Sequence, residues 1–411
     1  MKSTVLPWLL VAGLIIRLIL SVPIYSGDVN NHISWGRDIL HFGSQGVYER
    51  EFTFRYGTLV PTYPPIPLFL FTASQAMYNW TYEISLWANS QITFFPSRFV
   101  WFLQKQNTLP AFYKVWAILA DIGLAYSVYL FTRKSWLSAL VLFNPAFFYN
   151  SAIWGQIESI PIFFLLVSLY FIVRIRRPFL STIFMVLALL TKQSAIIFIP
   201  LFGLVFLAHF KWTTVLKSVG LALLFFWLSF LPFFQAGSLL VFPFVTYWDK
   251  IQTGSGSTYV VDHAFNFWAL VTGIGKISDS QSAWADLSYN SWGLLFFTAA
   301  MIFILVKFKS TKIFAAAALS NMSAFFFLTR MHERYLAPAL VFLLLWASSR
   351  RVLLPVFVFL SLFHFLNLYH NWWAPRIPLL VTWLSFFMTI NALIWFALGT
   401  LVWLLWKYAK S

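Results

Sequence analysis

The chain has 411 residues, of which 60% are hydrophobic and only 10% charged, with a formal net charge of +16. So much apolar surface excludes a soluble domain of this length, and long unbroken apolar runs exclude the short alternating segments of a β-barrel. The lack of cysteine excludes disulfides and thiolate metal sites, and in so apolar a chain the positive charge reads as membrane topology rather than nucleic-acid binding.

The first apolar run, 5–24, follows Lys2 with no clear small-x-small cleavage site, so it reads as a retained first span. Further spans are expected at 113–132, 136–150, 157–173, 179–191, 194–210, 215–234, 291–307, 312–329, 335–348, 352–370 and 378–406. The expected fold is one all-α polytopic membrane domain over 1–411, with about 12 transmembrane helices (range about 10–13). Several runs fall short of the roughly 20 residues that a full crossing requires, which predicts tilted, broken or re-entrant helices.

Charge sets the orientation. With a cytoplasmic N-terminus, the inner segments hold fifteen Lys and Arg and no acid, whereas eleven of the twelve acidic residues lie outside and Asp121 lies within a span. This satisfies the positive-inside rule. Two long outer segments result, 25–112 and 235–290. The first contains "YPPIPLFLFTASQAMY"; counting it as a crossing would put the later basic clusters outside, so 66–78 is expected as an interfacial helix. Its proline pair suits a helix start after an extended approach.

Polar residues then interrupt the apolar pattern. Arg17 and Asp121 lie in the first two spans at similar depth, because those spans run in opposite directions. Ionisable groups within spans need a partner or a cavity, so these two are expected to pair. The first span ends in "IYSGDVNNHISW" (24–35), read as a loop on the outer face carrying Asp28. Three further outer turns follow: "NPAFFYNSAIWGQIESI" (144–160), "TKQS" (191–194) and "TRMHERYLAP" (329–338). Their convergence on one face favours a site. A carboxylate beside Lys, Arg and His suits removing a proton from a nucleophile while an anionic leaving group is stabilised. There is no D-x-D, G-x-G-x-x-G, P-loop or G-x-S-x-G motif, and "HERY" lacks the second histidine of a zinc-protease helix.

These pieces resemble the GT-C superfamily of polytopic glycosyltransferases, which use polyprenyl-phosphate sugars as donors. The nearest branches are the prokaryotic relatives of the GPI-anchor mannosyltransferases and the dolichyl-phosphate-glucose glucosyltransferases. The matching pieces occur in family order from about residue 26 to 338: "GDVNNHISW", "YPPIPLFLF", "PSRFVWFLQKQNTLPAFYKVWAILADIGLAY", "NPAFFYNSAIWGQIESI", "LTKQSAIIFIP" and "MHERYLAP". The resemblance implies an inverting transfer with Asp28 as general base. It also implies that Lys192, His332 and Arg334 bind the donor phosphate, and that Trp154 and Gln156 line the sugar pocket. Tyr63 would lie near the donor entrance, and Glu158 and Glu333 would belong to the sugar or donor pocket or else orient neighbouring cations. No metal or other cofactor is required in this reading, because fixed cations hold the phosphate.

Two departures stand out. Asp28 is followed by Asn30 and Asn31 where the family often has a further acid or aromatic, so these residues and His32 are read as shaping the loop or contacting an acceptor. The 235–290 segment matches no family piece; Asp262, His263 and Asn266 would contact donor or acceptor, or the stretch would serve as a Gly/Ser-rich lid. The expected activity is transfer of a hexose, mannose favoured, to a lipid-linked or extracytoplasmic glycan, in a prokaryotic plasma membrane with the site on the extracytoplasmic face. Nucleic acid is not an expected partner. The alternative is a transporter or flippase of lipid-linked saccharides, although such carriers more naturally show repeated halves and midplane sites.

Overall fold

The computed structural model describes residues 5–51, 57, 59–254 and 256–410, so Lys2 lies outside the described residues. The described residues form nineteen α-helices joined by short 3₁₀ and π turns, with isolated β-bridges but no strand. The first five are α1 (Leu6–Ser21), α2 (Gly27–Phe42), α3 (Pro65–Gln91), α4 (Ser97–Leu103) and α5 (Thr108–Thr132). Then come α6 (Ser135–Leu142), α7 (Pro145–Phe148), α8 (Ser159–Tyr170), α9 (Pro178–Thr191), α10 (Ile199–His209) and α11 (Trp212–Phe230). The next four are α12 (Phe242–Thr253), α13 (Phe267–Thr272), α14 (Tyr289–Val306) and α15 (Ile313–Phe327). The last are α16 (Ala337–Ala347), α17 (Leu354–Trp372), α18 (Pro378–Leu384) and α19 (Phe387–Lys410).

This is an all-α protein whose apolar helices suit a membrane. Five helical stretches are long and apolar enough to cross one: Thr108–Thr132, Trp212–Phe233, Tyr289–Val306, Arg351–Trp372 and Phe387–Lys410. Shorter apolar helices stand at Leu6–Ser21, Ser159–Ile175, Pro178–Thr191 and Gln193–His209. Helices α15 and α16 are predominantly apolar and almost entirely buried, as central helices must be. The expected last span, 378–406, is broken between Leu384 and Phe387, and its second part runs on to Lys410.

Two elements near the site differ from expectation. The stretch after the first span is a helix, α2, rather than a loop. Ser26 enters it in extended conformation, and Val29, Ile33 and Ile39 bury one side at helical spacing. The expected short helix over 66–78 is only the start of α3, whose 27 residues end at Gln91. Its later part is amphipathic, with Trp80, Ile84 and Trp87 exposed, so a search for continuous apolar runs ends too early. Helices α2 and α3 approach closely at Gly36, where a Cβ would lie 2.5 Å from the Phe71 carbonyl oxygen.

Buried charges lock the first helices together. Arg17 Nε donates to Asp121 Oδ2 at 2.7 Å, and Arg17 Nη1 donates to the Leu142 carbonyl at 2.7 Å. Ser151 and Ser159 also donate to Asp121, so one fully buried carboxylate ties α1, α5, the π turn Tyr149–Trp154 and α8. Lys114, which looks like a boundary cation in sequence, is buried. Its Nζ donates to the carbonyls of Ser21 (2.8 Å), Ile24 (2.6 Å) and Ile153 (3.0 Å). At the opposite end, basic side chains cap helix C-termini: Arg174 to Phe131 O, Lys134 to Ser348 O and Lys312 to Tyr408 O. Cations there satisfy the last carbonyls and complement the helix dipole.

Candidate functional site

Asp28 stands in the first turn of α2, where exposed amides and the helix dipole favour a carboxylate. Its position is set from behind. The Ser26 amide donates to the Trp154 carbonyl at 3.1 Å, while Lys114 ties the end of α1 to the same π turn. The turn closes at Gly155, whose φ of +95° is left-handed. Gln156 then reaches across and donates its side-chain N–H to Asp28. A Cβ at Gly155 would lie 2.5 Å from Val29 Cγ2 and 3.2 Å from Lys114 Cε. Gly155→Ala is therefore expected to cost about 1–2 kcal/mol for the backbone and about 1–3 kcal/mol more for crowding. A thermal midpoint unchanged from wild type in the same detergent would refute this.

The four polar segments meet. Glu158, buried at the start of α8, accepts a hydrogen bond from Lys192 at the end of α9. Arg334 Nε lies 3.1 Å from the same Glu158 oxygen, and Arg334 Nη1 donates to Glu333 Oε1 at 2.8 Å. Burial pushes the Glu158 carboxyl up, but Lys192 and Arg334 outweigh this and hold it below its ordinary value. Burial acts in the same sense on Glu333, where Arg334 and His332 hold the carboxyl far below the ordinary range. Lys192 also faces two rings, 4.7 Å from the centroid of Tyr335 and 5.8 Å from that of Tyr63.

The second long segment supplies the remaining partner. Asp262 Oδ2 lies 2.7 Å from His332 Nδ1. Residues around Asp262 pack into the fold: Phe265 N donates to Asn367 Oδ1 at 2.9 Å, and Asn367 Nδ2 donates to His263 O at 2.8 Å. Arg330 clamps Asp279 through two bonds of 2.7 and 2.8 Å. Val260, Phe265 and Trp268 are wholly buried, so the stretch around Asp262 packs into the core. Asn266 is a helix cap, accepting from the Ala269 amide, rather than a contact in the site.

Burial and the Arg334 charge work to strip the His332 proton, but hydrogen bonds to Asp262 and Glu333 prevail and raise its pKa above 6.5. Burial likewise raises Asp262, and the His332 contact more than reverses it. The stabilising contribution of His332 is therefore complete below pH 6.5 and is lost as pH rises through the raised value. That of Asp262 is present above its ordinary 3.8 and disappears as pH falls through the depressed value. Thermal unfolding between neutral and alkaline pH should show the midpoint declining, with His332→Gln flattening that decline. An equal decline in the variant would remove His332 as its source.

A polar cavity of about 280 Å³ opens among these groups. Asp28, His332, Arg334 and Tyr63 line it, as expected from the sequence, together with Asn31, His32, Trp35, Asp262, His263, Tyr335 and Asn371. An adjoining, largely apolar cavity of about 370 Å³ shares Tyr335 and has Glu158, Lys192, Asp279 and Arg330 as the charged members of its lining. Trp154 does not line either cavity: it is buried and stacked on Trp372, with ring centroids 5.8 Å apart. Gln156 is also buried, orienting Asp28 from behind, and Glu333 is buried against Arg334. Lys192, His332 and Arg334 each have a carboxylate partner, but only His332 and Arg334 line the polar cavity with Asp28, whereas Lys192 lines the adjoining one. Sequence reasoning did not join Tyr335, Trp35 or Asn371 to the site; helical spacing from Asp28 would have pointed to Trp35.

The fold and this site define an α-helical membrane protein with a buried charge cluster at the junction of a polar and an apolar cavity. Compared with models of known protein families and with curated protein sequences, the chain matches none.

Proposed function

We propose that this protein is an inverting glycosyltransferase that moves a hexose, mannose favoured, from a polyprenyl-phosphate carrier to a lipid-linked or extracytoplasmic glycan. The observation that carries the reading is the polar cavity in which a partly exposed carboxylate, Asp28, faces His332 and Arg334 beside an apolar cavity. An acceptor hydroxyl oxygen attacks the anomeric carbon, and its proton passes to Asp28. The anomeric C–O bond breaks with its electron pair remaining on the phosphate oxygen, where His332 and Arg334 stabilise the charge. The carrier's hydrocarbon occupies the apolar cavity. Its alcohol-bound phosphate lies at the Tyr335 junction, with Lys192 a lesser contributor because it lines the apolar cavity and not the polar one. No metal is needed for this balance. The sequence resemblance to the GT-C superfamily and the one-sided charge pattern support the same reading, with the site on the extracytoplasmic face of a prokaryotic plasma membrane.

The test is transfer in detergent from a panel of labelled polyprenyl-phosphate hexoses, with products identified by mass spectrometry. Transfer dependent on Asp28 supports the enzyme. No transfer, together with protein-dependent movement of a lipid-linked saccharide across vesicles, would replace it with the flippase reading.

A further inference from the structure

On one wall of the polar cavity Asp28 has neighbours with no role in the chemistry just described. Asp28, Asn31, His32 and Trp35 fall at positions i, i+3, i+4 and i+7 of α2, so they form one stripe facing the cavity. His32 is buried, and its Nδ1 has no hydrogen-bond partner among the described residues. Its ring is fixed in an aromatic box. It stacks on Phe71 with centroids 4.2 Å apart, and Trp35 and Tyr63 each lie 5.7 Å away. Burial drives the His32 pKa down to about 4, so the imidazole stays neutral at physiological pH and offers both a donor and an acceptor. A buried ring nitrogen left without a partner, on a residue that lines the cavity, is a place for a ligand group.

The chemistry of the wall selects its ligand. An amide, a neutral imidazole and aromatic faces suit a polyhydroxylated ring, with hydroxyls bonding to the polar groups and C–H faces packing on the rings. Two carboxylates, Asp28 and Asp262, line the same cavity. Asp262 is paired with His332, so on the α2 stripe itself Asp28 is the charge that an acceptor would meet, and it disfavours an anionic sugar there. From this stripe we infer that Asn31, His32 and Trp35 form the acceptor subsite for a neutral sugar, with His32 bonding the hydroxyl adjacent to the one that Asp28 deprotonates. His32 is thus a positioning residue: it sits one helical turn from Asp28 and fixes which hydroxyl of the acceptor reaches the carboxylate.

This inference rests on the proposed transferase reading, but equilibrium binding tests it separately. The probes are radiolabelled octyl α-D-mannoside, its monodeoxy analogues and octyl β-D-glucuronide, each below its micellar concentration, with the full-length protein in nanodiscs. His32→Phe keeps the stack on Phe71 and removes the hydrogen bonds. It is expected to weaken mannoside binding about tenfold. One monodeoxy analogue should bind wild type about tenfold more weakly and His32→Phe no more weakly than the parent mannoside, as a shared hydrogen bond requires. The glucuronide should bind at least tenfold more weakly than the mannoside. His32→Gln, which retains a donor and an acceptor, should recover part of the loss.

If wild type binds none of the glycosides, or binds them as well after His32→Phe, the subsite is overturned whatever the transfer assay yields. Binding that depends on His32 without any sugar transfer leaves the subsite standing and removes the transferase reading. Unchanged thermal midpoints for His32→Phe and His32→Gln separate loss of binding from loss of fold.

Discussion

Asp28→Asn should reduce sugar transfer by about 10²–10⁴-fold, the usual contribution of a positioned general base, while leaving the protein folded. The substitution is isosteric, and the Asn carbonyl can still accept the hydrogen bond that Gln156 donates to Asp28. Asp28 is only half-buried and makes no ion pair among the described residues, so no buried cation loses its counter-charge. Donor affinity should hold within a few-fold, because the proposed phosphate contacts are His332 and Arg334. The informative measurements are single-turnover transfer and donor binding on the same preparation. Transfer at the wild-type rate would take the general base away from Asp28. A parallel loss of donor affinity would mean that the carboxylate serves binding instead.

The other large effect concerns stability. Glu158→Leu removes the carboxylate shared by Lys192 and Arg334, both strongly buried. Arg334 keeps Glu333, but Lys192 loses its direct counter-ion and keeps the faces of Tyr335 and Tyr63. Leaving one member of a buried ion pair uncompensated typically costs about 3–5 kcal/mol, so the unfolding midpoint should fall sharply. Adding Lys192→Met should recover much of that loss, since apolar replacement of a whole buried pair is often neutral. A double-mutant cycle in one detergent measures this directly. If Glu158→Leu alone leaves stability within experimental error, the cluster is not acting as a buried ion network.

The ion network also explains why a list of cations misjudges the site. Lys192, His332 and Arg334 look alike in sequence as positive groups near one face. In the fold, Glu158 neutralises Lys192, while Glu333 and Asp262 share Arg334 and His332. All three thus have a carboxylate within charge-assisted reach, and their placement separates them: His332 and Arg334 line the polar cavity with Asp28, and Lys192 lines the adjoining one. Glu333 is adjacent to Arg334 in sequence, but Glu158 and Asp262 come from segments separate from those of Lys192 and His332, so no local pattern encodes which carboxylate reaches which cation. The same reasoning applies to Lys114, whose three carbonyl partners come from two separate regions of the chain.

Composition and periodicity alone established the helical, membrane-suited character of the chain, because apolar runs of that length have no other stable use. The meeting of Asp28 with the turns at 156–158, 192 and 332–334 was also legible, since counting spans against the basic loops brings them to one end. Equal depth on antiparallel helices sufficed to pair Arg17 with Asp121, 2.7 Å apart in the fold. Tertiary structure alone decided that α2 is a helix. Its Asn31 and His32 look like loop residues because they are polar, yet they face a cavity inside the protein. Hydropathy records whether a side chain dislikes water, but it cannot distinguish bulk water from a polar space enclosed by distant segments. For that reason the class of the protein could be read residue by residue, whereas "GDVNNHISW" acquired its geometry only when α3, α5 and the 262–263 stretch closed around it.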